Sequence, residues 1–158
     1  MTTATDPRTL VADHIAAERD HDAVAAASYY TVDGYYEIVP LGLRFDGRDA
    51  VAAQYAASYA AMPDLEAPVE REVVDAGGGW LVHQGRLVAT VTGSFAGQPP
   101  TGRRIDLPFV AFYEIHDGKI AGETVHFDLA GFCHQAGLDV TKVRAAVNAG
   151  QVAAQTPP

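Results

Sequence analysis

The sequence predicts an α+β domain in which helices pack on one face of a curved antiparallel sheet. Three observations carry that expectation. Residues 7–61 are dominated by helical patterning with one short strand inside it, residues 69–128 are rich in β-branched and aromatic residues separated by turn dipeptides, and a length of 158 residues suits one domain with a core over about 7–140. A sheet that curls around a helix leaves a cone, and the mouth of a cone can hold a small molecule.

Each element has a local cause. Asp6-Pro7 reads as an N-cap followed by the first helical position, and Leu10, His14, Ala17 and His21 recur at helical spacing after it. Residues 23–30, rich in alanine, read as a second short helix. Asp33-Gly34 is a turn signal leading into a strand over 35–39, which Pro40 ends. Asp46-Gly47 marks another turn, and Asp49 reads as the cap of a helix over 50–61 closed by Met62-Pro63-Asp64. A strand over 69–76, the tip Gly77-Gly78-Gly79 and a long β stretch over 80–95 follow. A loop over 96–103 with two prolines and two glycines leads to a strand over 105–115. Asp117-Gly118 is a hairpin dipeptide that joins it to the last strand, 119–128. Residues 129–150 read as partly helical, and the tail 151–158 as frayed.

Composition excludes several classes. Eleven basic against twenty acidic side chains give 11 − 20 = −9, which argues against a nucleic-acid binder with its basic stripe. The single cysteine, Cys133, can form neither an internal disulfide nor a Cys-based zinc cluster. The six histidines are scattered without ligand spacing, so no metal is expected, and no cofactor motif is present. Gly77-Gly78-Gly79 has no following helix and is no phosphate loop. No apolar run approaches the roughly 18–20 residues of a membrane span, and the polar start MTTATDPRTL lacks the apolar core of a signal peptide. A cytoplasmic protein with no nucleic-acid or membrane partner is the expectation.

Three blocks carry a family resemblance: DGYYEIVP followed by GRDAV, then GQPPTGRR, then DGKIAGETVHFDLAGFCHQAGL. Over residues 13–138 the chain resembles the nuclear transport factor two-like superfamily, and within it the SnoaL-like polyketide cyclases and the limonene epoxide hydrolase group. The resemblance implies a cone-shaped curved sheet wrapped around N-terminal helices, a small apolar substrate in the cone, and a homodimer paired through the open sheet face. It also implies what is missing. Val125 matches the position of the acid/base aspartate in both groups, Ala111 that of a cyclase histidine, and Ile38 that of a water-anchoring asparagine. The Arg-x-Asp pair of the epoxide hydrolases maps onto Arg86 and Val88.

Other residues must then carry any chemistry. Alternation on the last strand puts Glu123, Val125 and Phe127 on one face and Thr124, His126 and Asp128 on the other, and the resemblance turns the first face toward the pocket. Glu123 is the candidate acid or base, its pKa raised by burial; a one-residue slip of register would instead turn it to solvent. Tyr36 can orient a carbonyl or enolate oxygen, or simply pack in the core. His14 falls near the position from which related ketosteroid isomerases present a tyrosine, and its imidazole can shuttle a proton. Trp80, Phe109, Tyr113, Phe127, Val125 and Ile38 are the expected pocket walls. Arg86 is a cation that must reach solvent, Glu123 or a substrate carboxylate. Asp128 reads as the cap of the following helix, and His83 as a surface or interface residue.

The function these readings favour is a cofactor-independent cyclase or isomerase of a polyketide-like substrate, steering ring closure by shape with help from Glu123 and Tyr36. An epoxide hydrolase or epoxide-opening cyclase is the alternative, and it needs a second pocket carboxylate. A non-catalytic binding or dimer-forming module is the third.

Overall fold

The computed structural model describes residues 6–150, so the tail expected to fray, 151–158, lies outside the described residues. Helix α1 (Pro7–Arg19) begins as its sequence dictates, with Asp6 accepting the Arg8 N–H at 3.3 Å and Pro7 in the first position. Asp22 caps α2 (Ala23–Ser28) in the same way, through the Ala25 N–H at 2.9 Å.

Tyr30, expected to end that helix, is instead the fully buried first residue of β1 (Tyr30–Ile38). Once the alanine run stops, the aromatic and β-branched Tyr30-Thr31-Val32 favour extended backbone. Asp33-Gly34 is correspondingly no turn, because both residues lie inside β1 where its pairing with the last strand shifts register. A Cβ on Gly34 would lie 3.0 Å from the Ile120 carbonyl oxygen, so this glycine serves a close approach of two strands. Pro40 does stop β1, in a single 3-10 turn, Val39–Leu41, before β2 (Leu43–Asp46). Helix α3 (Arg48–Ala61) starts two residues earlier than its sequence predicts. Gly47, at φ 88°, is its N-cap, and Asp49 sits in the first turn, where its charge meets the positive end of the helix.

The remaining elements are β3 (Val69–Val74), β4 (Trp80–Thr90), β5 (Arg104–His116), β6 (Lys119–Phe127), α4 (Leu129–Ala136) and α5 (Val140–Asn148). Asp117 and Gly118, at φ 49° and 70°, make the hairpin turn their dipeptide predicts. The long β stretch stops at Thr90, short of the expected residue 95, because the chain leaves the sheet at Gly93 to donate its N–H to the Ala61 carbonyl at 2.9 Å. Among the described residues no helix is long and apolar enough to cross a membrane.

The six strands form one sheet in the order β2-β1-β6-β5-β4-β3. All neighbours are antiparallel except β1 and β6, which run parallel, so the purely antiparallel expectation fails at one seam. That seam matters for the site. It sets Tyr36 beside Glu123, and the β5–β6 pairing sets Tyr113 opposite the same residue. On β6 Glu123 and Val125 are buried while His126 is exposed, so the strand has the register in which Glu123 points inward. One apolar cluster joins α1–α3 to the middle of the sheet, and a second lies under α4 and α5.

Candidate active site

Helical spacing places His14 and Glu18 on one face of α1, and Tyr55 and Tyr59 on one face of α3. Both faces look onto the concave side of the sheet. Between α1, α3, the segment 65–69 and strands β1, β4, β5 and β6 lies a cavity of about 480 Å³, within the range of small-molecule sites. Apolar side chains such as Ile15, Leu87 and Val125 wall it, Arg19 and Glu66 reach its edge, and Glu123 lies against it.

Glu123 is 4% exposed. The hydroxyls of Tyr30 and Tyr55 both donate to its Oε2, the second at 2.9 Å, and the two phenol oxygens lie 2.8 Å apart. Three mutually touching oxygens need three protons to satisfy every contact. The phenols supply two, and a third closes the ring of contacts when Glu123 is protonated and one phenol turns its own proton to the other. Burial first, and then the Glu18 charge, push this carboxyl up to about 7, against the opposing pull of His14 and the two phenol bonds. Burial, and next the Glu123 charge, hold Tyr30, Tyr36, Tyr55 and Tyr113 well above the usual phenol value, so these hydroxyls remain donors at neutral pH.

Behind the carboxyl lies His14, with no solvent exposure. Its Nδ1 is 3.0 Å from the Ala26 carbonyl oxygen, which can only accept, so Nδ1 carries a proton. Its Nε2 then faces Glu18 Oε1 at 3.1 Å, the Tyr55 hydroxyl at 3.4 Å and Glu123 Oε2 at 3.9 Å. Burial alone would discharge the ring, but the charge and hydrogen bond of Glu18, with the charge of Glu123, outweigh it and raise the His14 pKa. His14, Glu18 and Glu123 bring ligand-capable atoms within 4.8 Å of one another. The expectation of scattered histidines therefore overlooks one i,i+4 pair on α1 and its meeting with β6. The Nε2–Oε1 contact has the length of an N–H donating to a carboxylate, and a proton accounts for it.

The other expected site residues divide clearly. Tyr36, Phe109, Tyr113 and Val125 line the cavity with Glu123, whereas His14 sits behind the wall. Three expected wall residues, and the cation Arg86, do not line it. Trp80 is 45% exposed at the first position of β4, on the outer face. Arg86 also points outward, where its Nε donates to Asp106 at 2.5 Å. Phe127 packs against Phe132 with ring centroids 5.7 Å apart, and Ile38 is buried in the α4–α5 cluster. His83 is not a surface residue: it is 4% exposed, with Nε2 2.9 Å from Glu72. Asp128 holds the N-cap position of α4 but makes no side-chain cap bond. Sequence reasoning missed Tyr30, Tyr55 and Glu18. The signals available were the i,i+4 pairs His14/Glu18 and Tyr55/Tyr59.

The raised carboxyl has a consequence for stability. Its folded value of about 7 lies above the ordinary 4.5, so the protonated form stabilises the fold. That contribution is complete below about pH 4.5 and is lost as pH rises through about 7, amounting to roughly 3 kcal/mol at most. His14, also raised, acts in the same direction. Thermal melts should therefore show stability falling from pH 5 to pH 8.5 (roughly the window of these shifts) more steeply in the native protein than in Glu123→Gln, and equal slopes would contradict the assignment.

The sequence matches the family model described as SnoaL-like polyketide cyclase over residues 9–136. No curated protein matches it. Among solved structures, a candidate polyketide cyclase from Pseudomonas putida KT2440 is 25% identical, with a TM-score of 0.71 over 86% of this chain and 99% of that one. A candidate SnoaL-like polyketide cyclase from Jannaschia sp. CCS1 is 20% identical, with a TM-score of 0.72 over 88% and 99%. A protein of ketosteroid isomerase-like fold from Catenulispora acidiphila, solved with trimethylamine, is 17% identical, with a TM-score of 0.72 over 84% and 95%. These likenesses show the fold.

Proposed function

We propose that this chain, which belongs to the SnoaL-like polyketide cyclase family, is a cofactor-independent cyclase or isomerase of enolisable carbonyl compounds whose working group is Glu123. The observation that carries this reading is a buried carboxyl, poised near neutrality and gripped by two phenols, against a cavity of about 480 Å³. Both phenols donate to Oε2, which leaves Oε1 free of either.

The carboxylate takes a proton from the carbon beside a carbonyl, and the C–H electrons become the enolate. The enolate carbon attacks a second carbonyl of the same molecule, forming the ring bond and an alkoxide. Glu123 returns its proton to that alkoxide, so the cycle is balanced without a co-reactant. The apolar walls hold the two ends in contact, which can by itself contribute several kcal/mol. Tyr36, a protonated phenol lining the cavity, is the donor for the developing enolate oxygen.

The test uses 2-tetralone, a small ring-fused ketone, in deuterated water at pH 7.5 (about the upper side of the Glu123 transition). The protein is expected to accelerate exchange of the protons beside the carbonyl, followed by proton NMR. Exchange no faster than in buffer would sink the acid–base reading.

Epoxide opening remains the second reading because Glu18 supplies the additional cavity carboxylate it needs; diol formation from styrene oxide would favour it. A homodimer belongs to the same proposal. Val73, Trp80 and Phe112, exposed by 55%, 45% and 37% on the outer sheet face, are its candidate contact, and light scattering at twice 16.7 kDa is the expected result, a monomer the contrary one.

A further inference from the structure

The Tyr30 oxygen, 2.8 Å from the Tyr55 hydroxyl, gives its own proton to Glu123, and the one proton of Tyr55 has two further neighbours that can accept it. Glu123 Oε2 lies at 2.9 Å and His14 Nε2 at 3.4 Å. Which one receives it depends on His14. With a proton on Nε2 the ring is a donor and points at Glu18; without one, Nε2 is a buried lone pair that competes with Glu123 for the Tyr55 proton.

The groups around the ring leave few other sources of control. Glu18 faces it from α1 and the Ala26 carbonyl from α2. Tyr29 and Tyr30 approach edge-on with centroids at 6.1 and 5.6 Å, Tyr55 approaches from α3, Tyr113 edge-on from β5 at 6.0 Å, and Glu123 from β6. Glu18 is the nearest of the charged groups and, unlike Glu123, keeps a fifth of its side-chain surface in the open. A proton can reach it from outside.

We propose that Glu18 is a positioning residue for the site: by keeping a proton on His14 Nε2 it commits the Tyr55 hydroxyl to Glu123. This rests on Glu123 being the working group. When the Glu18 charge is removed, an imidazole with no solvent exposure reverts to its neutral form, and Nε2 becomes an acceptor. Tyr55 then turns to it, and Glu123 keeps only the Tyr30 bond.

The experiment labels histidine with nitrogen-15 in the full chain and reads the ring nitrogens of His14, assigned by loss of its signals in His14→Gln, at pH 7 (about half a unit above the ordinary imidazole pKa). Both nitrogens are expected to be protonated in the native protein, and Nε2 bare in Glu18→Gln and Glu18→Ala. A bare Nε2 in the native protein, or an imidazolium that persists in both variants, would overturn the proposal. The 2-tetralone exchange rate supplies the second readout. It should fall about tenfold in Glu18→Ala and less in Glu18→Gln, whose amide N–H can occupy Nε2 and keep Tyr55 off it. Equal rates in the two variants would overturn the commitment of Tyr55. Should the native protein fail to exchange the probe while His14 titrates as described, the reading of Glu123 falls, and the nitrogen signals alone decide the role of Glu18. Thermal melts establish that each variant is folded.

Discussion

Glu123→Gln is expected to slow exchange of the 2-tetralone α-protons on the order of 10²–10⁴-fold, the usual contribution of a positioned acid or base. The amide has the shape of the carboxyl, and its oxygen can still accept from Tyr30 and Tyr55, so the cavity walls should not move. It cannot, however, take a proton from carbon. Probe affinity, measured by titration, should therefore change little while the rate collapses. The substitution also removes a buried group that must be protonated to be comfortable, so the variant should gain stability relative to the native protein at alkaline pH. Full exchange activity in Glu123→Gln would exclude the carboxyl as the working group.

Gly85→Ala is expected to destabilise the protein by about 3 kcal/mol or more. Its added Cβ would fall 2.1 Å from the Pro68 carbonyl oxygen and 3.0 Å from the carbonyl carbon, both backbone atoms that cannot swing aside. The Arg86 N–H also donates to that oxygen at 3.1 Å. Relief would push the segment 65–69 off β4, and Leu65, Glu66, Ala67, Pro68 and Val69 are one wall of the cavity. Urea unfolding should show the loss, with Gly79→Ala, whose Cβ would meet nothing within 4 Å, as a nearly neutral control. Similar midpoints for the two would show that the wall is not held by this contact.

The fold class was legible because its signals are local. The Asp6-Pro7 cap, the Asp117-Gly118 hairpin and the strand alternation that buries Glu123 all act within a few residues. Asp33-Gly34 misled because a glycine that admits a neighbouring strand has the same sequence as a glycine that turns a chain. The candidate site was half legible. Strand phase put Glu123 and Val125 on one face and the family resemblance turned that face toward the pocket; these two line the cavity, as do Tyr36, Phe109 and Tyr113. Trp80 and Arg86 lie on the outer phase of β4, which hydrophobicity alone does not reveal. Tyr30 and Tyr55 were missed for another reason: their partner is on a strand 93 and 68 positions away, and the i,i+4 pair Tyr55/Tyr59 marks a helix face without naming what that face meets.

The parallel seam between β1 and β6 has a kinetic corollary. Strand β6, synthesised after both of its neighbours, does not add to an edge of the sheet but fills the gap between β1 and β5. Until it does, both flanking strands present bare backbone, and the three-oxygen cluster lacks its carboxyl. Closing loops of such length is entropically slow, and unpaired strand edges are where nascent chains associate wrongly. Folding and assembly of the three-oxygen cluster are thus one event, completed when a single strand is threaded into place.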